Sequence, residues 1–133
     1  MKILILFVLT LISASAELVV ELTGVRNAKG KVGILVFSSA NGFPEDGKKA
    51  LHEVQTDAKK GKVVFKLPAL KNGQYAFTVL HDENGNQKLD KNLIGYPKEG
   101  VAISNYQKLA RPKFPQAAIK NPKSPVKLKM LYP

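Results

Sequence analysis

Short apolar runs that alternate with polar positions recur along this chain, and turn residues punctuate them about every ten residues. Leu18, Val20 and Leu22 share one face of an extended segment and Glu21 the other, a period of two that predicts a half-buried strand. Lys31 to Ser38, KVGILVFS, is apolar on both faces and predicts a central strand, paired in a hairpin with the first across the polar turn RNAKGK. Ser39 to Lys49 carries Asn-Gly, Phe-Pro and Asp-Gly and predicts a loop. Within it, Phe43 is expected to fold back as an apolar plug, a ligand-contacting aromatic being the alternative. Ala50 to Thr56 alternates weakly, as strand or helical turn, and Lys62 to Leu67 alternates clearly.

Gln74 to His81 is the strongest strand signal, with Tyr75, Phe77 and Val79 on one face and Ala76, Thr78 and Leu80 on the other. Tyr75, two residues after Gly73, stands where a tyrosine corner would bond its hydroxyl to backbone across the turn. Leu93 to Tyr96 is short and stopped by Pro97, and Gly100 to Pro122 reads as irregular with a helical turn at Pro115 to Ile119. Val126 to Tyr132 alternates, with Val126, Leu128, Met130 and Tyr132 inward and Lys127 and Lys129 outward. Six or seven short strands and no long amphipathic helix predict an all-β, antiparallel sandwich of about seven strands.

The first 16 residues follow a different rule. Lys2 precedes an apolar run from Ile3 to Ile12 broken by Thr10, and Ala14 and Ala16 make a small-residue cleavage pattern. The run is about half the roughly 20 apolar residues that a membrane span needs, so a cleavable signal peptide over residues 1–16 is expected. An uncleaved anchor is the alternative. Residues 17–133 are then a single domain, periplasmic or extracellular. The chain has no cysteine, so no disulfide framework supports it and the hydrophobic core must.

Charge adds an asymmetry. The chain carries 21 basic and 10 acidic residues, net +11. Residues 100–133 hold seven of the basic residues and no acidic one. Such a segment attracts polyanions: an anionic envelope component, lipid or polymer, is one expected partner and another protein a second. A soluble basic surface without a dedicated partner is the plainer reading. Nucleic acid is not expected, because no aromatic-interleaved basic motif is present. Oligomeric state is open, and no integral span is expected after signal removal.

One loop concentrates candidate chemistry. In HDENGNQKLD, side-chain oxygens fall at Asp82, Asn84, Asn86 and Asp90, which are positions 1, 3, 5 and 9 of a calcium loop starting at Asp82. Alternate residues of such a loop turn inward onto a hard cation, and Leu89 sits where calcium loops anchor to the core. Two departures weaken the pattern: Gln87 replaces the glycine at position 6, and Leu93 replaces the bidentate glutamate at position 12. Only Asp82 and Asp90 bring charge, so affinity is expected to be modest unless Glu83 or Glu99 joins. The competing reading is a turn capped by Asx side chains, which Asn-Gly pairs also make.

His52 and His81 are too far apart in sequence for a helical or strand zinc motif, and a strand-end histidine bonding backbone is the commoner use of His81. Ser104, His81 and Asp82 could be assembled into a hydrolase triad on paper. No G-x-S-x-G elbow supports it, and the adjacency of His81 and Asp82 sends them to opposite strand faces. No catalytic residue is assigned, and a non-enzymatic role is expected.

Together with YAFTVLHDENGNQKLD, the segments GFP at Gly42 to Pro44, LIGYPKEG, SNY and PKF–AA resemble the exported bacterial family filed as domain of unknown function 2141. That resemblance implies an extracytoplasmic immunoglobulin- or prealbumin-like sandwich and supplies neither substrate nor catalytic residues. The family usually has glycine where Gln87 stands and a more acidic segment near Phe114, which here lies between Lys113 and Gln116. The expected function is an exported cell-envelope binding or structural module with a weak calcium loop at residues 82–90. The alternative is a module whose basic 100–133 surface binds anionic polymers or lipids.

Overall fold

The computed structural model describes residues 16–85 and 99–133. Within them the chain forms β1 (Leu18–Val25), β2 (Lys31–Phe37), β3 (His52–Asp57), β4 (Gly61–Leu67), β5 (Gln74–Asp82), β6 (Gly100–Ile103), α1 (Phe114–Ala117), β7 (Ile119–Lys120) and β8 (Val126–Lys129). Two sheets stack as an all-β sandwich: a three-stranded sheet ordered β4-β1-β8, and a larger one ordered β3-β2-β5-β6, with β7 pairing one end of β5. Every pairing is antiparallel except β1 with β8, which run parallel.

The expected hairpin of the first two strands does not form. β1 belongs to the small sheet and β2 to the large one, so the polar turn between them crosses the end of the sandwich. The turn residues are those of a hairpin loop, but β1 finds its ladder partners in β4 and β8 instead. β6 is an addition to the expected strands: all four of its residues are buried, so it carries no alternation to betray it.

Alternation elsewhere maps directly onto burial. Val20, Leu22, Phe65, Leu67, Leu128 and Met130 of the small sheet meet Val32, Ile34, Val36, Phe77, Val79 and Ala102 of the large one in the central core. Burying a side chain of this size contributes about 1.5–3 kcal/mol, which makes this layer the main support of a chain without cross-links. Tyr75 makes the expected corner, its hydroxyl donating to the Lys71 carbonyl at 2.8 Å.

A second apolar cluster covers part of the outer face of the large sheet. Leu35, Phe37, Ala76, Val101 and Ile103 lie beneath Phe43 and Ala117. Phe43 is the expected plug: its ring meets Phe37 edge-on at 5.6 Å and Phe114 at 5.9 Å. Ser104 holds the cover in place. Its hydroxyl donates to the Ala117 carbonyl at 2.6 Å and accepts the Phe77 N–H at 3.0 Å. Asn105, in the left-handed region at φ 54°, donates from Nδ2 to the Ala118 carbonyl at 3.0 Å. The SNY segment is thus a structural fastener.

Candidate functional site

The oxygen-rich loop leaves β5 at Asp82, and its root is fixed from three sides. The β1–β2 turn presses on it: a Cβ on Gly30, at φ +64°, would stand 1.9 Å from the Asp82 carbonyl oxygen, so glycine is required there. From within, His81 is fully buried, with Nε2 2.8 Å from the Lys29 carbonyl and Nδ1 2.7 Å from the Tyr132 hydroxyl. These partners assign the tautomer: Nε2–H donates to the carbonyl, and Nδ1 accepts from tyrosine. Tyr132 in turn accepts the Arg26 N–H at 3.1 Å, and the Arg26 guanidinium lies 4.4 Å over its ring. Burial of the Tyr132 hydroxyl raises its pKa above the ordinary tyrosine value.

Glu83 completes this network. Its carboxylate accepts from the Arg26 guanidinium and from Asn27 Nδ2 at 2.8 Å. The hydrogen bond from Arg26 holds the Glu83 carboxyl below its ordinary value against the opposing effect of burial. Glu83 is therefore committed to the end of the sandwich, away from a supporting role at the loop.

Asp82 faces the other way, as alternation requires of neighbours on a strand. It lies on the rim of a concavity of about 130 Å³ on the outer face of the large sheet. Gly33, Leu35 and Leu80 lie in the concavity, Glu45, Glu53, Asp82 and Glu99 line it, and Lys31 is the one cation of the lining among the described residues. Four of the chain's ten acidic residues thus line this concavity, although the chain as a whole is strongly basic. Glu45 is also held by Arg111 at 2.8 Å. Glu99, named in the sequence as a carboxylate that would strengthen the loop, shares this concavity with Asp82.

Of the four expected metal ligands, Asp82 and Asn84 are placed at the loop root, Asp82 half-buried and Asn84 exposed. Asn86 and Asp90 lie outside the described residues, as do Gln87, Leu89 and the predicted strand at Leu93 to Tyr96. Among the described residues, no three His, Asp or Glu side chains are grouped closely enough to hold a metal ion. Glu45 and Glu53 were missed because they arrive from the β2–β3 loop and from β3. Only the outward alternation of Glu53 and Gln55 hinted at them.

The paper triad is not assembled. Ser104 is buried with both hydrogen-bonding roles taken by backbone, and His81 is turned into the sandwich end towards Tyr132. His52 stands at the start of β3, opposite Val36.

The basic residues of 100–133 do not form one surface. Lys108, Arg111 and Lys113 ride on the cover of the large sheet and Lys120 on β7, whereas Lys127 and Lys129 point outward from β8 in the small sheet. No helix among the described residues is long and apolar enough to cross a membrane.

A two-sheet β-sandwich with a loop rooted at the end of its central strand is the class of protein this fold and site define. The chain belongs to the bacterial family described as "Uncharacterized protein conserved in bacteria (DUF2141)", whose profile matches residues 20–129. No curated protein and no solved structure matches it.

Proposed function

We propose that this chain is an exported, non-catalytic binding module of the bacterial cell envelope. Its ligand is a hard cation, calcium first among them, taken at the Asp82 end of the large sheet. The observation that supports this reading is that Glu45, Glu53, Asp82 and Glu99 line one concavity of a chain with net charge +11, a rim of negative charge that attracts a cation to the loop without itself forming a chelating group. Charges more than about 8 Å apart in water are screened from each other at physiological ionic strength, so a cation there feels the nearby carboxylates more than the distant lysines. Asp82 joins this concavity to the loop, in which Asp82, Asn84, Asn86 and Asp90 are the proposed ligands. The signal-like first 16 residues support export. The engagement of Ser104 and His81 by structural partners supports binding over catalysis.

Calorimetric titration of the purified protein with calcium tests this. The expected result is measurable heat and a higher melting temperature at millimolar ion, both lost in Asp82→Asn. Asn84→Ala probes the loop alone and Glu53→Gln the concavity alone, so the two variants separate the donor groups. No heat and an unchanged melting temperature at millimolar calcium would sink the proposal.

A further inference from the structure

The outer face of the small sheet has the opposite character to the concavity. Strand register sets Lys66 beside Val19, places Val64, Glu21 and Lys127 in a middle row, and sets Thr23 beside Lys129, while Lys62 reaches Glu21 on the same face from the β4 side of the irregularity that follows Leu22. All four lysines are exposed. Val64, in the middle row, is one of two large apolar side chains that stand exposed among the described residues, at 47%. The single acid, Glu21, is already paired with Lys62 at 3.5 Å. Because β4 and β8 lie on either side of β1, this surface exists only in the folded sandwich: lysines at 62 and 66 and lysines at 127 and 129 supply its two halves.

We infer that this face docks the protein on an anionic lipid bilayer. Three strands about 4.8 Å apart, with rows about 6.7 Å apart, form a nearly flat grid of roughly 10 by 13 Å. That is far below the ~800 Å² per partner of a standard protein interface. Docking on a charged membrane needs no recess and no minimum contact area. It requires cationic side chains held within a Debye length of the headgroup plane.

The residue type agrees. Each cation is a lysine, a compact charge on a flexible stem, with no arginine fork to demand a shaped carboxylate or phosphate partner. A second copy of the chain presents lysines to lysines and is repelled. The docked orientation turns the acidic concavity, on the opposite outer face of the sandwich, away from the negatively charged surface. The inference does not depend on cation binding, and a null calcium titration leaves it standing.

Co-sedimentation of the purified protein with phosphatidylcholine vesicles, with and without phosphatidylglycerol, tests it. Binding is expected only with the anionic lipid and falls as salt is raised. Removing each of the four lysines should weaken it about fivefold, so that the combined Lys62→Ala, Lys66→Ala, Lys127→Ala, Lys129→Ala variant barely binds. A control variant with Lys48→Ala, Lys108→Ala, Lys113→Ala and Lys120→Ala loses the same net charge elsewhere and should bind far better than the first. These side chains are exposed, so both variants should keep the parent's circular dichroism and melting profile. Equal loss in the two variants would reduce the effect to net charge and overturn the assignment. So would absence of vesicle binding at low salt, whether or not the protein binds a soluble anionic polymer such as polyphosphate.

Discussion

The Tyr132 hydroxyl lies 2.7 Å from Nδ1 of His81, joining the next-to-last residue of the chain to the buried end of β5. The same hydroxyl accepts the Arg26 N–H, so one phenol ties the C-terminus, the β1–β2 turn and the loop root together. Tyr132→Phe keeps the ring and its contact with Arg26 but leaves Nδ1 inside the sandwich without its donor. An unsatisfied buried acceptor costs about 1–3 kcal/mol, and we predict a loss of stability in that range. Urea denaturation of the two proteins at neutral pH measures it. A change below a few tenths of a kcal/mol would mean that the hydroxyl contributes nothing net.

Glu83 gives this end of the molecule an acid sensitivity. Its carboxyl is held below its ordinary value of 4.5 in the folded chain, first by the hydrogen bond from Arg26. In the pH range between the folded and unfolded pKa values, the unfolded chain binds more protons at this site, so stability rises with pH. The stabilisation is complete above the ordinary value and is lost as pH falls through the depressed folded one. Denaturation midpoints measured from pH 7 down to pH 2 should therefore fall more steeply for the parent than for Glu83→Gln. Parallel curves would show that the ion pair has no net effect on folding.

How much of this could be read from the chain depends on whether burial follows a local period. Leu18, Val20 and Leu22, then Tyr75, Phe77 and Val79, then Val126, Leu128 and Met130 alternate in sequence and in the fold, because each strand has one face in the central core. Gly100 to Ile103 is buried throughout, one face under the sandwich core and the other under the cover, and four such residues carry no period. Pairing was less legible than strand location. The turn after β1 has ordinary loop chemistry, and only the packing of the two sheets decides that it crosses between them. The acidic concavity was the least legible feature, since Glu45, Glu53, Asp82 and Glu99 come from four separate stretches. Asp82 alone announced itself, through its spacing in the loop.

Ser104 and Thr78 offer opposite tests of the covered face of the large sheet. Ser104 satisfies two backbone groups, the Phe77 N–H and the Ala117 carbonyl, from a fully buried position. Thr78 is also buried, at 1% exposure, but its hydroxyl has no hydrogen-bond partner among the described residues. Ser104→Ala strands a donor and an acceptor, and with each such buried group costing about 1–3 kcal/mol the expected loss is about 2–6 kcal/mol. Thr78→Val replaces an unpartnered hydroxyl with a methyl group of similar shape and is expected to stabilise by about 1 kcal/mol, the lower end of the cost of burying a bare hydroxyl. The two sites are both buried beside the β5–β6 pair, so a general intolerance of that region to substitution would destabilise both variants. Opposite shifts in the urea midpoint, with an unchanged slope, are the expected result. Destabilisation by Thr78→Val would show that its hydroxyl has a partner in solution, a bound water included.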